Sequence, residues 1–271
     1  MTEPRAGRTS AAGTASEKSL RILEAVAAPG GPHRLAEVAA AAEVPRSSTH
    51  RILTALAEQG YVRTAGDGRY GVGPRLRSLA AQVAGAEPAG VERTLDELRR
   101  RTGQTVHLAL YDGGPARGAA GDGSGSGSGS VTYVHKLESD QPFRTASRVG
   151  TRMPLHTTAI GKSVLAALPA EEVRALLGTG DLPRRTPRTL ATVVELEAEL
   201  AVVRQRGFAL DDEENEPAIR CLGAAVLDGA GRPVGGVSVT TVTFLVPREQ
   251  LETYGPAVRE AAEALAPLLL P

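Results

Sequence analysis

The sequence predicts an α+β protein in two parts: a helical segment closed by a short hairpin, then a larger domain built on an antiparallel sheet. Three observations carry this. Apolar residues recur at helical spacing from residue 16 to about residue 59. Two strand-like runs then flank Asp67-Gly68, a dipeptide that favours hairpin turns. Beyond residue 100 strand and helix patterns mix without regular βαβ alternation, which argues against a parallel, doubly wound sheet.

Residues 1–15 are small, polar and aperiodic, and are expected to form a disordered tail. Leu20, Leu23, Val26 and Ala27 mark a first helix, with Ser16 as its cap and Glu17 in its first turn. Pro29-Gly30-Gly31-Pro32 breaks it. A second helix runs from Leu35 through Val38, Ala39 and Ala42, and Glu43-Val44-Pro45 turns the chain. Pro45 suits the first position of a third helix over 45–59. Thr49, Ile52, Leu53 and Leu56 form the inward stripe of that helix, which turns Arg46, Ser47, Ser48 and Arg51 outward. Strands at 61–63 and 69–72, joined through Ala65-Gly66-Asp67-Gly68, complete a winged helix-turn-helix over 16–73.

Leu76, Leu79, Ala80 and Val83 then predict an amphipathic linker helix over 74–88, and the second domain spans 89–271. Val91, Leu95 and Leu98 open that domain with a helix. Strands are expected at 105–111, 131–137, 220–228 and 233–243, and helices at 159–168, 170–178, 191–206 and 248–269. The Gly-Ser-rich stretch at 121–130 has nothing to pack and reads as a flexible hairpin tip.

With 271 residues, 41% of them apolar, the chain can fill two cores. Its formal charge is zero, but residues 1–85 carry 11 Lys/Arg against 7 Asp/Glu, and the remainder 20 against 24. The basic excess therefore sits at the end where a nucleic-acid module needs it. One cysteine, Cys221, excludes an intrachain disulfide framework and fits a reducing compartment. The opening MTEPRAGRTS lacks a signal-peptide core, and no run approaches the roughly 20 apolar residues of a membrane span. A soluble cytoplasmic protein without a membrane partner is expected.

The outward face of the third helix, with two arginines and two hydroxyls, suits phosphates and base edges. His50 lies beside that face, where it either donates to a phosphate or packs on the wing; Arg63 and Arg69 extend the basic surface into the wing. In the second domain, His156-Thr157-Thr158 leads into Ala159-Ile160-Gly161-Lys162, so hydroxyls and small residues precede a helix whose free N–H groups attract an anion. A catalytic reading of Cys221 with His107, His135 or His156, or a metal cluster of them, finds no CxxC or HxxxH spacing, and no Walker or GxGxxG motif is present. No catalytic residue, metal or cofactor is expected.

Four segments carry a family resemblance: SLRILEAV at 19–26, VPRSSTHRILTALAEQGYV at 44–62, PLHTTAIGKSVLA at 154–166 and DDEENEPAIRCLGAAVLD at 211–228. In that order and spacing they resemble the IclR family of bacterial transcriptional regulators over about residues 16–269. The resemblance implies operator DNA as one partner, contacted through Arg46, Ser47, Ser48, His50, Arg51, Arg63 and Arg69. It implies a GAF-like effector domain with ligand contacts at Thr158, Ala159, Ile160, Asp211, Cys221, Ser238 and Thr240, and the hydroxyl and small-residue entry to the helix at 159 points to a small organic acid as that ligand. It also implies a homodimer or homotetramer. Ser238 and Thr240, two apart on a strand, share a face independently of the resemblance. Cys221 reads equally as a small core residue, and Thr157 and Thr158 as simple helix caps. The acidic run 211–214 ordinarily forms a solvated loop, from which only Asp211 is singled out. Two departures stand out. Glu43 replaces the glycine usual before the recognition helix, where a left-handed backbone costs on the order of 1–2 kcal/mol, so an altered turn is expected. Ala218 stands where glycine commonly follows the proline of the last segment.

Overall fold

The computed structural model describes residues 14–65, 67–86, 88, 90–113, 129–178 and 180–269. The expected tail at 1–13 and nearly all of the Gly-Ser-rich tip lie outside the described residues. The chain divides into two compact units, 1–87 and 88–271.

The first unit begins with α1 (Ala15–Ala27), α2 (Leu35–Ala41) and α3 (Arg46–Glu58). Thr14, rather than Ser16, caps α1: its hydroxyl accepts the Glu17 N–H at 3.2 Å, and the Glu17 carboxylate accepts the Thr14 N–H at 2.7 Å. That reciprocal pair satisfies two donors that the first turn leaves free. The buried stripe of α1 is Ile22 and Val26 with Ala25 beside them, while Leu20 faces water. These residues meet Val38, Ala42, Val44, Leu53 and Val62 in one small core. The wing contains β2 (Val62–Thr64) and β3 (Arg69–Val72), and a strand the periodicity missed, β1 (His33–Arg34), pairs with β3 to give the order β1-β3-β2. Two residues are too few to show an alternation. The unit ends with α4 (Pro74–Ala86), whose Leu79 and Val83 are exposed.

Glu43 keeps the left-handed turn that its replacement of glycine put in question. Its φ is +52°, its N–H reaches the Ala40 carbonyl at 3.2 Å, and the Val44 N–H reaches Ala39 at 3.1 Å. This is the two-bond closure that ends many helices. The hydrogen bonds and the burial of Val44 override the preference of a Cβ-bearing residue for negative φ.

The second unit is α+β. After α5 (Gly90–Thr102), strands β4 (Thr105–Tyr111), β5 (Ser130–Leu137), β6 (Arg152–Pro154), β7 (Ala209–Asp212), β8 (Ile219–Leu227) and β9 (Pro233–Val242) form one antiparallel sheet, ordered β6-β5-β4-β9-β8-β7. Helices α6 (Ala159–Ala167), α7 (Ala170–Leu177) and α8 (Val193–Arg206) separate β6 from β7, and α9 (Arg248–Glu252) and α10 (Gly255–Leu269) close the chain. The single last helix expected at 248–269 is broken at Thr253 and Tyr254, where Pro256 has no N–H to donate to residue 252.

Alternation along the strands sorts the sheet into two faces. Val106, Leu108, Leu210, Leu222, Ala224, Val237 and Val239 pack with α5 and α10. The intervening residues turn to the opposite face, where Ala109, Val131 and Tyr133 pack with α6, α7 and α8. That second face holds the site.

Candidate functional site

In the first unit Arg46, Ser47, His50 and Arg51 are exposed on α3 and Ser48 is half-buried beside them. Thr49 points inward, its hydroxyl 3.1 Å from the carbonyls of Val44 and Pro45. Arg63 is exposed on β2. Arg69 is half-buried, with its guanidinium 2.9 Å from the Asp67 carboxylate and 3.2 Å from the Pro32 carbonyl, so it braces the wing. A cleft of about 370 Å³ beside the first turn of α3 is lined by Arg34, Leu35, Ala36, Arg46, Asp67 and Gly68. Arg34, which sequence reasoning passed over, thus joins Arg46 in one concavity. Its signal lay in β1, a strand of two residues.

In the second unit the register of the sheet assembles the site. Asp211 pairs with Cys221 and Cys221 with Thr240; one row along, Gly223 pairs with Ser238 and Ser238 with His107. Four strands therefore present Asp211, Cys221, Thr240, Ser238 and His107 side by side. The N-terminus of α6 lies over this patch because Gly223 lets it approach: a Cβ there would fall 3.0 Å from the Ile160 nitrogen and 3.1 Å from the Ala159 carbonyl carbon. Ser163 ties the contact with a 2.7 Å hydrogen bond to the Gly223 carbonyl. Gly161 plays the matching part on the helix, where a Cβ would strike the Leu155 backbone.

Between helix and sheet lies a cavity of about 190 Å³, bordered by all seven residues singled out in this domain: Thr158, Ala159, Ile160, Asp211, Cys221, Ser238 and Thr240. Thr158 is the helix cap. Its hydroxyl accepts the Gly161 N–H at 3.1 Å and donates to the Pro154 carbonyl at 2.9 Å. Since the Lys162 N–H makes the first bond of the helix, to the Thr158 carbonyl, the N–H groups of Ala159 and Ile160 precede any carbonyl partner within α6. Thr157 turns away and donates to Asn215 at 3.0 Å.

Residues that sequence reasoning did not assign to the site complete its wall. His107 bonds the Ser147 hydroxyl at 2.8 Å through Nε2 and Thr240 at 3.3 Å through Nδ1, and its ring lies 4.7 Å from that of Tyr133. Burial, with Lys136 nearby, pulls His107 down to about 3, so it is neutral at physiological pH. Cys221 hydrogen-bonds Thr240 at 3.2 Å, and burial followed by the neighbouring Asp211 pushes its thiol up, so it too stays neutral. Arg185, Asn215 and Glu216 stand at the same cavity.

The acidic run is not a solvated loop. Asp211 ends up on β7 and Glu214 in the turn after it, both buried. Asp211 Oδ1 accepts the N–H groups of Glu214 at 2.8 Å and Asn215 at 3.2 Å. Glu214 pairs with Lys162 at 2.5 Å, while Asp212 meets Arg220, Arg188 and Arg248. Asp212 and Glu214 found cationic partners outside the run and Asp211 two backbone N–H groups beside it, which makes their burial tolerable. Burial, reinforced by Glu214, pushes Asp211 up to about 7. Lys162, the one lysine near the mouth of α6 in the sequence, is wholly buried and committed to Glu214. Ala218 also retains a left-handed backbone, at φ +63°, with its N–H on the Glu213 carboxylate at 2.8 Å.

Comparison with known proteins decides the family. Residues 15–66 match the IclR helix-turn-helix domain, and residues 124–266 match the bacterial transcriptional regulator IclR C-terminal domain. The chain belongs to the IclR family. It is 31% identical over 253 residues to the HTH-type transcriptional regulator XynR of Escherichia coli, covering 92% of this chain and 94% of that one. The transcriptional repressor IclR of the same organism is 28% identical over 249 residues, 91% of this chain and 86% of its own. The crystal structure of the Thermotoga maritima IclR superposes with a TM-score of 0.69 at 31% identity, covering 93% and 97% of the two chains. This IclR-family chain is therefore a transcriptional regulator with an N-terminal helix-turn-helix and a C-terminal effector domain, not an enzyme. No helix among the described residues is long and apolar enough to cross a membrane.

Proposed function

We propose that a small organic acid held in the α6 cavity controls the affinity of this regulator for operator DNA. The observation that carries the proposal is the convergence of Thr158, Ala159, Ile160, Asp211, Cys221, Ser238 and Thr240, from four separate segments, on one cavity of about 190 Å³. The free N–H groups of Ala159 and Ile160, at the positive end of the α6 dipole, would receive the carboxylate. Arg185 adds a guanidinium at the same cavity, and the hydroxyls of Ser238 and Thr240 would meet the remaining polar atoms. A homologue from Microbacterium hydrocarbonoxydans, which shares the fold at 19% identity and a TM-score of 0.74, was solved with 4-hydroxybenzoate, itself a small organic acid.

The DNA contacts in this reading are Arg46, Ser47, Ser48, His50 and Arg51 on α3 and Arg63 in the wing, with Arg69 acting through the shape of the wing it braces. One recognition helix covers a half-site, so a two-fold dimer gains affinity on a paired operator. The exposed Leu79 and Val83 of α4 supply an apolar stripe for such pairing, with the effector domains extending the dimer to a tetramer. The working divisions are 16–73 for DNA, 74–88 for the linker helix and 89–271 for the effector.

Calorimetry with a panel of small acids, with and without operator, tests the coupling. Reciprocity demands that operator shift acid affinity by the same factor as acid shifts operator affinity, with a coupling of about 1–3 kcal/mol. Binding confined to neutral or cationic compounds sinks the proposal. So does an Ile160→Trp variant that still binds acid normally.

A further inference from the structure

We infer that the cavity takes up its acid together with one proton, carried by Asp211. This rests on the acid reading above and adds a chemical requirement to it. Asp211 is 2% exposed and borders a space of about 190 Å³ in which a ligand carboxylate would also lie. Two ionised carboxylates sharing such a site repel strongly, and one of them is driven to hold a proton.

The alternative is a cation to cancel the second charge, and the surroundings do not offer a buried one. From α6, Lys162 lies 2.5 Å from Glu214 and 3.9 Å from Glu199 of α8, so its charge is already more than matched. Arg185 is exposed, spends its Nε on the Asn215 carbonyl at 3.3 Å, and borders the cavity together with Glu216. From the sheet, His107 on β4 is neutral. Burial likewise keeps the hydroxyl of Tyr133 on β5 and the thiol of Cys221 on β8 protonated. Lys136 on β5, beside the Thr145 and Ser147 carbonyls, is matched by Glu138 at 2.8 Å. Among the described residues around the cavity no buried cation is left unmatched, and a proton balances the added charge.

The geometry also says where that proton goes. Both backbone N–H groups that reach Asp211 land on Oδ1, which leaves Oδ2 to carry the proton and donate it to an acceptor on the ligand. Burial and Glu214 already hold the carboxyl near 7, so a second anion moves its titration to neutral pH and above. Asp211 thus serves as a donor that selects ligands presenting an acceptor oxygen at this end of the cavity.

Titration calorimetry of the full chain with acetate, propionate, benzoate and 4-hydroxybenzoate reads the proton directly. Two buffers with different heats of ionisation, phosphate and Tris, reveal how many protons accompany each acid. The tightest-binding acid is expected to bring close to one proton near pH 8. Its affinity should be level between roughly pH 5.5 and 6.5, then fall about tenfold per pH unit above roughly pH 7.5. Asp211→Asn retains the Oδ1 acceptor and is expected to bind the same acid with an affinity independent of pH. Acid binding without proton exchange in the wild type overturns the inference and leaves the acid reading standing, as does a pH dependence that survives in Asp211→Asn. If none of the acids binds at any pH, the acid reading falls and the proton coupling with it.

Discussion

On α3, Arg46 and Arg51 stand exposed, with no ion pair among the described residues, while Thr49 and Leu53 on the other side of the same helix anchor it in the core. At the α6 cavity, by contrast, the lining groups are themselves the anchors. Thr158 borders the cavity and also caps α6; Asp211 borders it and also fixes the backbone at Glu214 and Asn215. The two regions teach that a site read from a surface is separable from the fold, whereas a site read from an interior is not. Substitutions on α3 should change binding and spare stability, and substitutions around the cavity should change both.

The sharpest break in that comparison is Lys162→Met. It leaves Glu214 buried and unpaired, when Glu214 Oε2 already lacks a hydrogen-bond partner among the described residues. Removing one member of such a pair costs about 3–5 kcal/mol. A lower denaturation midpoint with weakened effector binding is expected, and unchanged stability in urea would contradict the buried-pair account. Next in size, Arg51→Ala should lose about 1–3 kcal/mol of operator affinity if it reads a base, with stability within about 0.5 kcal/mol of wild type. A mobility shift at fixed salt, alongside thermal unfolding, separates the two effects; wild-type affinity would remove Arg51 from the interface.

Glu43→Gly sharpens the contrast from the structural side. Relief of the left-handed strain at φ +52° should stabilise the N-terminal unit by about 1 kcal/mol. A destabilised variant would mean that the Glu43 side chain contributes more than its 4.0 Å approach to Arg21 suggests. The smallest effect is reserved for Arg34→Gln, in the cleft beside α3. If Arg34 neutralises one phosphate, the slope of log affinity against log salt should shallow by about 0.9, with no change in sequence preference. An unaltered slope would place Arg34 off the DNA.

How much of this was legible in sequence follows the same division. The inward stripe of α3 and its outward arginines could be read from a single helical period, because every residue that decides the face lies within four positions of its neighbours. The helix cap at Thr158 was legible for the same reason. What local pattern misread was long-range. The acidic run at 211–214 looked solvated because its partners, Lys162, Arg188, Arg220 and Arg248, are spread across the domain. His107 carried no signal until β4 paired with β9 and set it opposite Ser238. The burial of Lys162 was not legible, because a helix position shows where the chain is but not which way a long side chain runs. Family resemblance supplied the effector residues; sheet register explains why they meet.

Register has one more implication. β7 is a four-residue edge strand held by β8 alone, and its residues alternate between Leu210 in the core and Asp211 at the cavity. A slip of one position would exchange the two, placing a carboxylate in the core and a leucine against the ligand. What prevents it is the turn over 213–218, pinned at both ends by left-handed residues, Glu213 and Ala218, and closed by the Thr243 N–H on the Ala218 carbonyl at 2.9 Å. A single-residue insertion or deletion in that turn would therefore rewrite what the cavity presents even with Asp211 itself retained in the sequence. On the proposed reading of the cavity, the length of this connection determines ligand choice as much as the chemistry of Asp211 does.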